Sequence, residues 1–425
     1  MTNSAPRRLG WIALGLWAAV VLAVTIRGMA APHQNSVFLV FREAGRDWLA
    51  REPLYTHIGK YLYSPLAAAF FSIFAVIPEW LGSGIWRLVS GTVYLLSCLV
   101  CFRWIEQAPA RIRYAGSVGG GGTSVNQREP GRTNGSWWQV ALLLLLPLSI
   151  GNLNNGQASP VLIALLLLAC LAVEEQRWTL AAFAIAVAAY FKIYPLAIGL
   201  LLVVLEPQKL WWRLVIAIVI LGGASLVLGN SPGYVTGQYR AWGLSLASDQ
   251  RRVATELGTW RDFWLLLRIL HIPITVGIYA ILQLAVAAGA AFFCWWRARV
   301  SHWDRSWMIW TAFTLGCLFI TLFGPSTELA TYIFLAPSVA LTCAAVLRTE
   351  IIRTQLGWRR ILPLTAYALL VAAEALNAWV PAIRQNIHLH AIQPIAALIF
   401  AGFILGWDPP AVRQSGTGVS PVFPR

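Results

Sequence analysis

Lys192 is the only charge in an apolar run from Thr179 to Leu205, within AYFKIYPLAI (189–198), and one of only three lysines in the chain. An ammonium at that depth is costly and marks a place where an anion or another charge is met. The bland alternatives are snorkelling to an interface or pairing with a buried acid. Pro195 removes a backbone N–H beside it and bends the helix there. Carboxylates come from two stretches. Glu43 and Asp47, in VFREAGRDWLAREPLY (40–55), stand four apart and share one face of a helix. Two acids that close can raise one pKa toward neutrality, which suits a general base; they can equally pair with Arg42, Arg46 and Arg51. Glu328 follows Ser326 and Thr327 in FGPSTELATY (323–332), after a Gly-Pro break. Amides concentrate in GNLNNGQ (151–157) as Asn152, Asn154, Asn155 and Gln157, which also fits a plain polar turn. Tyr63, in YLYSPL (61–66), and Tyr194 add phenols.

These side chains need a scaffold, and the composition names it. The chain has 425 residues, 58% hydrophobic and only 12% charged, about half the charged fraction of soluble domains. Apolar runs recur at 10–28, 62–78, 85–103, 137–150, 158–173, 179–204, 211–229, 272–296, 306–323, 330–347, 361–380 and 391–406. Runs of roughly 16 residues or more can span a hydrocarbon core of about 30 Å, and backbone groups in lipid must pair internally. The expectation is an all-α polytopic membrane protein of about twelve transmembrane helices. It forms a single integral membrane domain over 1–406, with large outer loops at 29–61 and 230–262 and a disordered tail at 407–425. Residues 7–32 have the pattern of a signal peptide, but an uncleaved first span fits the rest better.

The formal charge of +15 fits positive-inside anchoring and attraction to anionic membrane lipids, with no nucleic-acid partner. An even span count places both termini inside. One loop then disagrees: 103–136 carries five arginines, Arg103, Arg111, Arg113, Arg128 and Arg132, on the outside. Either it is a true exception or a nearby helix is a re-entrant half-span. In the outer loops, Phe41, Trp48 and Leu49 fall on one helical face, which suggests a helix lying on the membrane surface. Tyr234, Tyr239, Trp242 and Trp260 stand among Arg240, Arg251, Arg252 and Arg261. Aromatic faces stack on sugars and guanidinium forks hold phosphate, although an interfacial aromatic belt reads the same way.

HExxH, GxSxG, P-loop and DxD motifs are absent. His388 and His390 read as a surface pair, and GGGG (119–122) as a flexible loop without the GK[ST] ending of a phosphate cradle. No metal site and no cofactor are expected. The six cysteines all fall in apolar runs and read as small buried residues.

The order of these motifs resembles glycosyltransferase family 87, over about residues 10–340. Ala44, Leu49, Leu54, Tyr55, Tyr63, Pro65, Gly156, Gln157, Lys192 and Pro195 fill the family's places. The resemblance implies a GT-C fold in a bacterial inner membrane with the active site on its outer face. It implies transfer of a hexose, mannose in the family, from a polyprenyl-phosphate donor to a lipid or glycan acceptor. The departure is an aspartate that the family places just before its paired aromatics: here no acid occurs between residues 29 and 42. On this resemblance Lys192 holds the donor phosphate with help from Arg251 or Arg252. Glu43, Asp47 or Glu328 is the base, and Tyr63, Asn155, Gln157 and Tyr194 line the substrate cavity. A transporter or flippase of a lipid-linked solute, or a non-catalytic relative, are the alternatives.

Overall fold

The computed structural model describes residues 4–55, 61–117, 137–229, 231–247, 260–301, 303–325, 327–348, 357–380 and 386–407. Among them the regular structure is helical throughout. In chain order the helices are α1 (Ser4–Ala30), α2 (Phe38–Ala50), α3 (Pro65–Ala75), α4 (Glu79–Ser117), α5 (Trp137–Leu145), α6 (Ile150–Asn155), α7 (Ser159–Glu174) and α8 (Trp178–Phe191). There follow α9 (Leu196–Leu205), α10 (Pro207–Leu228), α11 (Pro232–Ala247), α12 (Phe263–Ile269), α13 (Val276–Arg299), α14 (Arg305–Phe323), α15 (Ala336–Arg348), α16 (Ile361–Trp379) and α17 (Ile392–Gly406). Seven of the described helical segments are long and apolar enough to cross a membrane, in α1, α4, α10, α13, α14, α16 and α17. The chain is an integral membrane protein.

The direction of each helix follows from its partners. Trp17 of α1 meets Tyr94 of α4, with ring centroids 6.0 Å apart. Arg27 and Arg87 both bind Asn154. At the other end Arg103 lies 4.4 Å from the Trp138 ring, and Trp138 packs on Gly10. So α4 runs antiparallel to α1. The end of the bundle that carries Gly10 and Arg103 is called here the near face, and the end that carries Arg27 and Arg87 the far face.

This arrangement corrects the expected span at 62–78. Its helix, α3, has 11 residues, about 16 Å, which falls well short of a crossing. It starts below Tyr63. It ends at Ala75, and Glu79, four residues on, pairs with His33 at 2.9 Å, just beyond the end of α1. Both ends of α3 thus belong to the far face, and the basic loop after Arg103 joins the near face with the N-terminus. α3 is therefore too short to cross, and Arg103 and Trp138, described residues on either side of the basic loop, lie on the near face with Gly10.

The run at 179–204, expected to cross as one helix, also does not. α8 stops at Phe191, and Lys192 is extended at φ −142°, ψ 139°. Pro195 restarts the helix as α9, at a position where its missing N–H costs nothing. Ile185 then packs on Gly199 across the two arms, so α8 and α9 form a hairpin with Lys192 at its tip. Both feet meet Arg305 on the near face. Arg305 donates to the Val173 carbonyl at 2.9 Å, pairs with Glu206, and covers the Trp178 ring at 5.5 Å. Apolar residues cover both arms on all sides, so hydropathy shows one long run where the chain reverses.

On the far face α2 lies on α3. Gly45 leaves no room for a Cβ against the Phe71 carbonyl, which lets the two backbones touch. The buried face of α2 is Phe38, Phe41, Arg42, Ala44, Gly45 and Trp48, while Leu49 is exposed. The expected stripe of Phe41, Trp48 and Leu49 therefore holds for two of its three members, and it faces protein. Phe41 stacks on Phe71 at 4.6 Å, and Phe71 meets Trp86 at 4.9 Å and Phe191 at 5.9 Å. Each such pair adds about 0.5–1.5 kcal/mol beyond burial. This aromatic stack fixes α2, α3 and α4 to the top of α8, one residue before Lys192.

Candidate active site at the hairpin tip

α8 is 14 residues long, so Lys192 stands about 21 Å above the near-face foot of the hairpin. Its Nζ lies 5.0 Å from the Tyr63 ring centroid and 5.3 Å from that of Tyr194. Such cation–π contacts hold a partly desolvated ammonium at about 0.5–2 kcal/mol each. Tyr194 is fixed edge-on by Phe334 at 5.4 Å. Its hydroxyl is buried beside the Lys192 ammonium.

Tyr63 is locked by its neighbours. The Tyr55 hydroxyl donates to the Tyr63 carbonyl at 2.7 Å, and Tyr61 donates to the Ser64 carbonyl at 3.1 Å. Burial pushes the Tyr55 hydroxyl above the usual phenol range, so it stays a neutral donor. From above, Trp242 of α11 donates to the Leu62 carbonyl at 3.2 Å. Tyr234 donates to the Glu52 carbonyl at 2.7 Å, which ties α11 to the end of α2.

The acid whose charge reaches this group is Glu328. α14 ends at Phe323, and after the Gly-Pro break Glu328 precedes a 3-10 turn (Leu329–Phe334), its N–H donating to Thr331 Oγ1 at 3.2 Å. The Glu328 carboxylate is exposed and close enough for its charge to act on Lys192, Tyr63 and Arg261. Three expected site residues from two distant stretches, Tyr63, Lys192 and Tyr194, thus come together, and the charge of Glu328 reaches them.

Other expected residues fall elsewhere. Glu43 is exposed on the side of α2 turned away from Phe41, and Asp47 is half-buried with Tyr234 near it. Arg42 does not serve them. It donates to the Phe74 and Ile77 carbonyls at 3.1 and 2.9 Å and reaches Glu79 at 3.6 Å. Asn155 braces the start of α2, its carbonyl and Oδ1 both accepting from the Val37 N–H at 3.0 and 3.1 Å. The start of α2 is therefore fastened to the GNLNNGQ turn. Gln157 is buried. Arg251, Arg252 and Ser326 lie outside the described residues, as does 408–425 of the tail. His388 is exposed but His390 is buried, so they are not a surface pair.

A second polar group adjoins Glu328. Arg261 is 6% exposed, and its guanidinium donates to Gln393 Oε1 at 3.1 Å and Asn377 Oδ1 at 2.9 Å. Its N–H donates to the Thr327 carbonyl at 2.8 Å, and its carbonyl accepts from the Tyr332 hydroxyl at 2.6 Å. Glu374 of α16 is a charged neighbour. In sequence Arg261 reads as one more loop charge. Glu374 carried a signal that sequence reasoning passed over: it is the only charged residue between Ile361 and Trp379, as Lys192 is in its own run.

A bundle of apolar helices with a lysine, two tyrosines and a carboxylate collected under amphipathic far-face helices defines a polytopic membrane protein with a polar far-face site. The model of glycosyltransferase family 87 matches residues 61–325, more than half of the chain, and the chain belongs to that family. A comparison with curated proteins returns no match. The matched segment contains Tyr63, Gln157, Lys192 and Arg261. The stretch of the missing aspartate and Glu374 lie outside it.

Proposed function

We propose that this protein is a GT-C-type membrane glycosyltransferase that moves a hexose, mannose by family resemblance, from a polyprenyl-phosphate donor to a lipid or glycan acceptor. The far face is the outer face of a bacterial inner membrane. The observation that carries this reading is Lys192 at the hairpin tip, flanked by Tyr63 and Tyr194 and reached by the charge of Glu328.

The chemistry needs two things from the protein. The acceptor oxygen attacks the anomeric carbon, and the bond from that carbon to the phosphate oxygen breaks. The phosphate keeps the electron pair, so negative charge grows there, and a preplaced cation stabilises it. Lys192 is that cation, and a unit charge about 4 Å away at an effective dielectric of about 20 is worth about 4 kcal/mol. The acceptor hydroxyl's proton passes to a carboxylate. Glu328 fills this role, being the expected acid whose charge reaches Lys192. The Tyr194 hydroxyl is a further donor for the sugar or phosphate. Arg251 and Arg252 belong to the same proposal as outer-loop phosphate partners.

The test is transfer in proteoliposomes, with labelled polyprenyl-phosphate mannose and a crude membrane lipid extract as acceptor. Wild type transfers label; Lys192→Ala loses it by roughly two to three orders of magnitude. Glu328→Gln loses about 10²–10⁴-fold, while Glu43→Gln and Asp47→Asn stay near wild type. A wild type that transfers nothing, or a Lys192→Ala variant as fast as wild type, overturns the reading.

A further inference from the structure

The Arg261 group has features that a purely structural ion pair does not need. Gln393 is fully buried, and its amide orientation is set because Arg261 can bond only to its oxygen. That leaves Gln393 Nε2, a donor, buried with no partner among the described residues. The Glu374 carboxylate makes no hydrogen bond or ion pair among the described residues, although Arg261 is close enough for their charges to interact. A buried donor and a carboxylate left open on one cluster is a costly arrangement unless something else completes it.

Space exists on one side. Glu374 Oε2 would lie 3.1 Å from a Cβ on Gly151, the first residue of GNLNNGQ, so glycine there keeps the approach open. Gly151 is itself exposed and Glu374 partly so. Glu374 and Gly151 thus form the outer edge of the cluster, between α6 and α16 at the level of their far-face ends. On its other side Arg261 is within electrostatic reach of Glu328, and Glu328 of Lys192.

We propose that Arg261, Glu374, Asn377 and Gln393 form a subsite for the hydroxyl-bearing headgroup of a lipid acceptor, which enters from the bilayer between α6 and α16. Glu374 accepts a hydrogen bond from one headgroup hydroxyl, and Gln393 Nε2 donates to another oxygen. Carboxylate and amide groups together suit a vicinal diol, whose hydroxyls each donate and accept. Arg261 is a positioning residue that orients Gln393 and Asn377. The inference rests on the glycosyltransferase reading and names the acceptor side of that same site.

The test uses full-length protein in proteoliposomes. Labelled polyprenyl-phosphate mannose is the donor, and the crude membrane lipid extract is titrated as acceptor. Binding of labelled polyprenyl phosphate is measured alongside. Glu374→Gln and Gln393→Leu raise the apparent acceptor KM at least tenfold, with donor binding and donor KM unchanged. Gly151→Val, which blocks the opening without removing a polar group, does the same. The subsite is overturned if wild type transfers label while Glu374→Gln and Gly151→Val keep the wild-type acceptor KM. It is also overturned if donor binding falls in step with acceptor KM, since that marks a general loss of structure. A wild type that transfers nothing overturns the enzyme reading and this inference with it.

Discussion

Ile185 and Gly199 touch across the two arms of the α8–α9 hairpin, one on each side of Lys192, and Ile198 in turn packs on Gly316 of α14. The position of the ammonium depends on these contacts, because the backbone of residues 192–195 is not itself helical. A Cβ on Gly199 has no room against Ile185. Gly199→Ala is expected to destabilise by about 1–3 kcal/mol through overpacking. Thermal unfolding in detergent checks this, and Ile185→Ala in the same chain restores part of the loss.

Tyr63 holds Lys192 with its ring, while the hydroxyl of Tyr55 holds the Tyr63 backbone. Tyr63→Phe keeps the aromatic face and should leave donor KM within about twofold. Tyr63→Leu removes it, and at about 0.5–2 kcal/mol for a cation–π contact donor KM rises roughly 2–30-fold. Donor titration of the two variants separates ring from hydroxyl.

Arg42 closes α3. Its fork occupies the carbonyls of Phe74 and Ile77 and reaches Glu79. Arg42→Ala leaves buried carbonyls unpaired, at about 1–3 kcal/mol. Arg42→Lys rescues little, because a single ammonium cannot reproduce the fork. Melting temperatures of the two variants should fall together.

The chain reversal at Lys192 sets sidedness. Arg177 and Gln208, at the feet of the hairpin, must be accessible from the same side of the membrane as each other and opposite to Glu52. All six native cysteines are free and buried, so background labelling is low. Arg177→Cys and Gln208→Cys should react with an impermeant maleimide only in inside-out vesicles, and Glu52→Cys only in right-side-out ones. Labelling of Arg177→Cys and Gln208→Cys from opposite sides would mean a single crossing helix instead.

Hydropathy found every helix that carries the bundle, and it flagged Lys192 and Glu328 because ionisable groups stand out against apolar or broken helix ends. It could not give direction. α3 and the hairpin are apolar on their exposed faces as well as on the faces that protein covers, and hydropathy does not tell the two apart. The Lys192–Pro195 break was visible as residues, but whether a helix bends or reverses there depends on partners far along the chain. Glu374 was visible in the same way as Lys192. Arg261 was hidden among other loop arginines, since burial rather than residue type sets it apart.

The hairpin also dictates an order of assembly. With arms of 14 and 10 residues, neither α8 nor α9 is long enough to be held in a bilayer as an independent helix. The residue that seals Ile198, Gly316, is made roughly a hundred residues later, so this is a contact of long sequence separation. During synthesis the tip lysine must therefore wait, still hydrated or near a headgroup, until α14 inserts and closes the bundle over it. The surroundings of Lys192 are in this sense completed only by residues made far later in the chain.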